Sequence, residues 1–291
     1  MSKTIPPHPS NTDPNLNNST FSAASYQRMP GNPAQPMQRV LHAMRKVPEI
    51  TVYFWIIKLL TTAMGEVTSD YLAHLLDPVV AVALAGIGLV IALILQFLVR
   101  RYVAWIYWLT IVMVAVFGTM VADVLHVGFG IPYIVSTALF LVALAIIFAT
   151  WYISEKTLSI HSIYTRRREI FYWATVMATF ALGTATGDMT ASTLNLGYFA
   201  SGVLFAVLIA VPALAYWLFG LNEIVAFWLA YILTRPLGAS FADWIGRPQG
   251  MSGLGLGTGS VSLILTILII AFVGYLTVTH KDSKDSKGEQ Q

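Results

Sequence analysis

Polar positions are sparse between residues 49 and 280, and where they recur they recur in register. Eight apolar runs stand out, over residues 51–73, 78–99, 102–125, 131–153, 170–192, 195–219, 222–244 and 257–279. Each is long enough to cross a hydrocarbon core ~30 Å thick, which takes about 20 helical residues. The runs are continuous and lack the ~10-residue alternating segments of membrane strands, so the predicted elements are helices. Pro78 and Pro132 sit near helix starts, where a missing N–H costs little. The expected fold is an all-α polytopic membrane protein with eight transmembrane helices.

The polar residues inside these runs repeat. Trp55, Gly65 and Asp70 are spaced by 10 and 5, and so are Trp108, Gly118 and Asp123. Trp173, Gly183 and Asp188 repeat the spacing, as do Trp228, Gly238 and Asp243. An aromatic residue precedes each tryptophan: Phe54, Tyr107, Tyr172 and Phe227. The template aromatic-Trp-x9-Gly-x4-Asp thus occurs four times, always in the first helix of a two-helix unit. Four tandem helical hairpins follow, with repeats at about 47–100, 101–160, 165–220 and 221–280. Two spans per unit make the repeats parallel, so each motif lies at the same depth.

Over roughly residues 49–279 these motifs resemble a family of bacterial integral membrane proteins. Its members are built from four tandem copies of a two-helix repeat of unknown function, each marked by a tryptophan. The resemblance implies an inner-membrane location and eight spans, without a settled activity.

Composition narrows the classes further. Only 11% of the 291 residues are charged, against about 25% in soluble domains, and 56% are hydrophobic. This excludes a soluble enzyme and a disulfide-stapled module, and the absence of cysteine excludes thiolate chemistry. A net charge of +3 gives no reason to expect a nucleic-acid partner. Where the cations lie matters more. Arg39, Arg45, Lys46, Arg100, Arg101, Lys156, Arg166, Arg167, Arg168, Lys281, Lys284 and Lys287 all fall on one side of the predicted spans. Only Arg247 falls opposite, which predicts that both termini are cytoplasmic. Residues 1–46, rich in Pro, Asn, Ser and Gln, read as a disordered cytoplasmic tail, and residues 281–291 as a second, shorter one.

Candidate chemistry concentrates on one stripe. The motif aspartates Asp70, Asp123, Asp188 and Asp243 lie 15 residues beyond the tryptophans, about 22 Å along each helix, and are expected to form a ring. Glu66 shares their face, as do the charge-compensating Lys58 and Arg235. These five acids and two bases leave a formal −3, which a low-dielectric interior tolerates only with bound protons or a bound cation. His74 and His126, spaced four and three residues from Asp70 and Asp123, are weaker metal-ligand candidates. The tryptophans read as interfacial anchors or packing pivots, and the motif glycines as points of close helix approach.

The GLGLGTG run at 253–259 lacks the Lys-Ser/Thr of a phosphate loop and reads as an outer loop. No HExxH, Gly-x-Ser-x-Gly or paired aspartyl-protease motif is present, so neither an enzyme nor a cofactor is expected. The leading expectation is a secondary transporter or exporter of a small cation, with a divalent metal favoured and protons the alternative ligand. The partners are then the lipid bilayer and that ion, with a homo-oligomer open. The alternative is a non-transporting scaffold or regulator acting through residues 1–46 and the basic loop Thr165–Glu169.

Overall fold

Side chains that complete their own helix ends explain where the elements begin. Thr51 Oγ1 accepts the Phe54 N–H at 3.4 Å. Asp77 Oδ1 accepts from Val79 at 2.9 Å, with Pro78 at the first helical position, and Asn222 Oδ1 accepts from Ile224 at 2.9 Å. The computed structural model describes residues 45–282, in which eight α-helices and no strand occur. They are α1 (Val52–Leu75), α2 (Pro78–Leu98), α3 (Ala104–Asp123), α4 (Tyr133–Glu155), α5 (Arg166–Asp188), α6 (Gly197–Phe219), α7 (Glu223–Gly246) and α8 (Thr258–Thr279).

Six of these are long and apolar enough to cross a membrane: α2, α3, α4, α6, α7 and α8. By length and composition alone, α1 and α5 are not. Lys58, Glu66 and Asp70 interrupt α1, while Thr175, Thr179, Thr184, Thr186 and Asp188 interrupt α5. α5 also begins four residues before its apolar run, at Arg166, because Thr165 Oγ1 caps the basic first turn. Two features depart from the uniform helices expected. Directly after Asp123 and Asp188 the backbone widens into π-helical turns, Val124–Gly128 and Met189–Thr193.

Four inner helices, α1, α3, α5 and α7, pack side by side, and α7 closes the ring against α1. Glycine makes that closure possible. A Cβ on Gly65 would lie 2.5 Å from Ala115 Cβ, and one on Gly118 would lie 2.9 Å from Phe180 Cβ. One on Gly183 would overlap Arg235, and one on Gly238 would overlap Thr62. Each partner stands three residues before the motif glycine of the next repeat. The four inner helices therefore share one direction and one register, around a pseudo-fourfold axis.

The outer helices follow the same rule with a shift. Each packs chiefly on the inner helix of the next repeat: α2 on α3, α4 on α5, α6 on α7, and α8 back on α1. The two helices of one repeat touch far less. Sequence adjacency suggests a hairpin as the packing unit, whereas the extensive contact runs between repeats. Burial reflects the two layers: fifteen of the 23 residues of α5 are buried, but only Ser136, Leu144 and Trp151 in α4.

The motif aromatics form a layer at one end of the ring. Phe54 lies 5.7 Å from Trp108, Tyr107 5.7 Å from Trp173, Tyr172 6.3 Å from Trp228, and Trp55 5.8 Å from Phe227. Trp108, Trp173 and Trp228 are buried, so they are packing pivots between helices rather than headgroup anchors. Beneath this layer, the ends of both expected tails are held in place. Lys46 Nζ reaches Glu169 at 2.5 Å, Tyr102 N–H donates to the Arg45 carbonyl at 2.8 Å, and Glu49 N–H donates to the Asp282 carbonyl at 3.0 Å. Arg45, Lys46 and Asp282 are all buried, so the packed body extends past the compositional boundaries at 46 and 281. Residues 1–44 and 283–291, the bulk of the two predicted tails, lie outside the described residues.

Candidate functional site

The stripe of polar positions on each inner helix turns to the axis. At the aromatic end stands Lys58, fully buried, with its ammonium 4.0 Å from the ring centres of both Phe180 and Tyr231. It forms no ion pair or hydrogen bond among the described residues. Two aromatic faces supply the compensating negative potential in place of a carboxylate.

Further along, Arg235 fills the axis. Its guanidinium reaches a residue immediately following the motif glycine in each of the other three repeats. Nη2 lies 2.7 Å from Glu66 Oε2 and 2.7 Å from Thr184 Oγ1, and also donates to Thr119 Oγ1. Nη1 donates to the Thr62 carbonyl at 3.2 Å. With Arg235 and Glu66 both buried, this is an ion pair cut off from water. Pro236 follows inside α7, and Gly183 on α5 is the residue that admits the arginine stem.

Beyond Arg235 lie the carboxylates. Glu66, Asp188 and Asp243 each place one oxygen within 4.8 Å of the others. Arg247 reaches Asp70 Oδ2 at 2.9 Å and Asp243 Oδ1 at 3.0 Å, and its guanidinium lies 5.2 Å from the Tyr198 ring centre. Asp123 accepts from Ser69 Oγ at 3.4 Å. Counting Asp70, Asp123, Asp188, Asp243 and Glu66 against Lys58, Arg235 and Arg247 leaves a formal −2. Oxygen donors at this spacing suit a hard cation such as Mg²⁺, Ca²⁺ or Mn²⁺.

The histidines do not join this group. His74 is exposed and its Nδ1 turns back to the Asp70 carbonyl at 2.6 Å. His126, in the first π turn, bonds the Ile131 carbonyl at 3.0 Å and Ser136 Oγ at 3.2 Å, and its ring lies tilted against Tyr133, 3.9 Å between centres. Spacing of three or four residues places a side chain on the same helical face without aiming it at the same point. Arg247, in contrast, is a site residue that topology counting treats as a lone outer-loop charge. Its position four residues after Asp243 is the signal that finds it.

Four inner helices in one register, each contributing to a shared axial polar column, define a tandem-repeat helical protein. The chain belongs to the DUF347 family, a Repeat of Unknown Function, which matches residues 53–102, 106–157, 171–221 and 226–282. No curated protein and no solved structure matches the chain.

Proposed function

We propose that this is an inner-membrane protein with eight spans and cytoplasmic termini that carries a small oxygen-seeking cation, with a divalent metal favoured. The convergence of Glu66, Asp188 and Asp243 oxygens within 4.8 Å carries this reading. Three carboxylates so close repel one another, and a cation or protons remove the repulsion. The negative excess of the column gives a bound cation a net electrostatic gain. α1 and α5 enter the bilayer in this reading because their polar residues face the ring and not lipid.

The rest of the column assigns roles. Arg235, with Lys58 and the aromatic layer behind it, closes the axis on the side of the termini. Arg247 stands on the other side, bound to two of the aspartates. Transport then needs a rearrangement that exposes the carboxylates to one side at a time, with protons replacing the ion during the return. The test is uptake of Mn²⁺ into liposomes holding the full-length protein, with Asp188→Asn and Asp243→Asn in parallel. Saturable flux lost in both variants supports the reading. Flux absent from wild type, or equal in all three, overturns it. A regulator acting through its tail would instead leave no flux in wild type and lose its cellular phenotype on deletion of residues 1–44.

A further inference from the structure

The pseudo-fourfold ring has four seams between neighbouring inner helices, each overlain by one outer helix. Three are filled at the aromatic end. Gln96 of α2 closes the α3–α5 seam, buried and donating to Glu169 Oε1 at 3.1 Å. Trp151 of α4 closes the α5–α7 seam, 6.2 Å from Phe171 and 5.8 Å from Trp228. Val273 and Leu276 of α8, both buried, close the α1–α3 seam. Over the α7–α1 seam, α6 presents Ile209 and Ala213 on either side of its internal Pro212. Tyr216 of α6 lines the same seam but stays about half exposed and does not fill it, and a cavity of about 620 Å³ remains.

Its walls and its mouth differ in chemistry. Trp55 and Leu59 of α1, Ala213 of α6 and Phe227 and Ala230 of α7 make an apolar slot, which ends at Thr234. Glu223 to Thr234 spans eleven residues, about 16 Å of helix. Glu49, His161 and Glu223 line the mouth, at the end where the Glu49 N–H meets the Asp282 carbonyl. Glu49 is paired with Arg45, and Glu223 is largely exposed, 3.7 Å from His161 Nε2. Among the described residues, no lysine or arginine lines the slot. The volume is that of a site for a drug-sized molecule, roughly 300–1,000 Å³.

We infer that this open seam binds a single-chain amphiphile with a cationic ammonium head. The chain lies between α1, α6 and α7, and the head lies beside Glu223, within reach of the Trp55 and Phe227 rings. This site is separate from the carboxylate column and does not depend on cation transport.

The experiment uses full-length protein in lipid nanodiscs and a brominated dodecyltrimethylammonium as quencher of tryptophan fluorescence. Wild type is expected to show saturable quenching, largely lost in Trp55→Phe, and at least tenfold weaker binding of brominated dodecyl sulfate. Filling the slot with Ala230→Leu or Ala213→Phe is expected to weaken binding at least tenfold. Glu223→Gln is expected to abolish the preference for the cationic head, and Asp188→Asn to leave binding unchanged. Elution as the same monodisperse peak qualifies each variant as folded, and the two filling variants act independently. Unsaturable quenching, or binding insensitive to both filling variants, overturns the site. Equal binding of the sulfate overturns the head-group assignment and leaves a slot that takes any bilayer acyl chain.

Discussion

Replacing Arg235 with methionine tests the axial column most directly. Methionine keeps the Cβ and Cγ atoms seated against Gly183 and removes the guanidinium. Thr119 and Thr184 lose a donor to their oxygens but keep their own hydroxyl bonds, to the Ala115 carbonyl at 2.9 Å and the Phe180 carbonyl at 3.2 Å. The loss therefore falls on Glu66, left as a buried carboxylate without its counter-charge. Breaking a buried pair on one side costs about 3–5 kcal/mol, whereas replacing both partners with apolar groups is often neutral. Arg235→Met is thus expected to lose about 3–5 kcal/mol, and Glu66→Met a comparable amount through the orphaned arginine. The double variant is expected to recover most of it, with a coupling of at least ~2 kcal/mol between the two sites. Reversible unfolding in mixed detergent–dodecyl sulfate micelles, followed by tryptophan fluorescence, measures all four proteins. An Arg235→Met loss below about 1 kcal/mol, or a double variant as unstable as the sum of the singles, refutes the reasoning.

Three further outcomes are expected. Gly238→Ala gains up to about 1 kcal/mol of helix propensity but drives a Cβ into Thr62, so a net loss of roughly 1–3 kcal/mol is expected. Gly250→Ala, which meets open space, serves as the control in the same unfolding assay. Under the cation reading, Arg247→Gln frees Asp70 and Asp243 from their tethered counter-charge. Mn²⁺ binding by isothermal calorimetry is then expected to tighten at least tenfold, and unchanged affinity would remove Arg247 from the site. At the terminal end, burial raises the Asp282 pKa above its ordinary 3.8, opposed by the bond from Tyr102 at 2.6 Å. Its folded pKa lies above the unfolded one, so its stabilising contribution is complete below pH ~3.9 and is lost as pH rises through the folded value. Melting curves from pH 4 to 8 are expected to show a decline in wild type that Asp282→Asn lessens.

The repeat was legible because its markers are covalently spaced and chemically distinct. Trp55, Gly65 and Asp70 and their three counterparts locate the inner helices without any tertiary information. Apolar runs locate the outer helices as well, to within a few residues. What escaped detection depends on partners distant in sequence. Nothing in the α2 sequence says that its stripe Ala81, Ala85, Leu89, Ala92 and Gln96 rests mainly on the next repeat. The π turns after Asp123 and Asp188 occur in runs that read as unbroken helix. Arg45 and Lys46 resemble the polar stretch before them, and only the carboxylates of Glu49 and Glu169 draw them into the body. Likewise, spacing alone does not say that His74 Nδ1 turns to the Asp70 carbonyl.

The offset packing of the outer layer also sets the order in which the molecule is completed during synthesis. The outer cover of α1 is α8, which begins about 200 residues after α1 does. At 5–20 residues per second the ribosome takes roughly 10–40 s to supply it. During that interval α1, the helix bearing Lys58, Glu66 and Asp70, has no cover, and for all but the last 23 residues of it α1 also lacks Arg235. If α1 spans the membrane as proposed, early intermediates are expected to hold it at the insertion machinery, and chains truncated before α8 to be cleared by proteolysis. No subset of repeats is a smaller version of the whole, because the last helix completes the first.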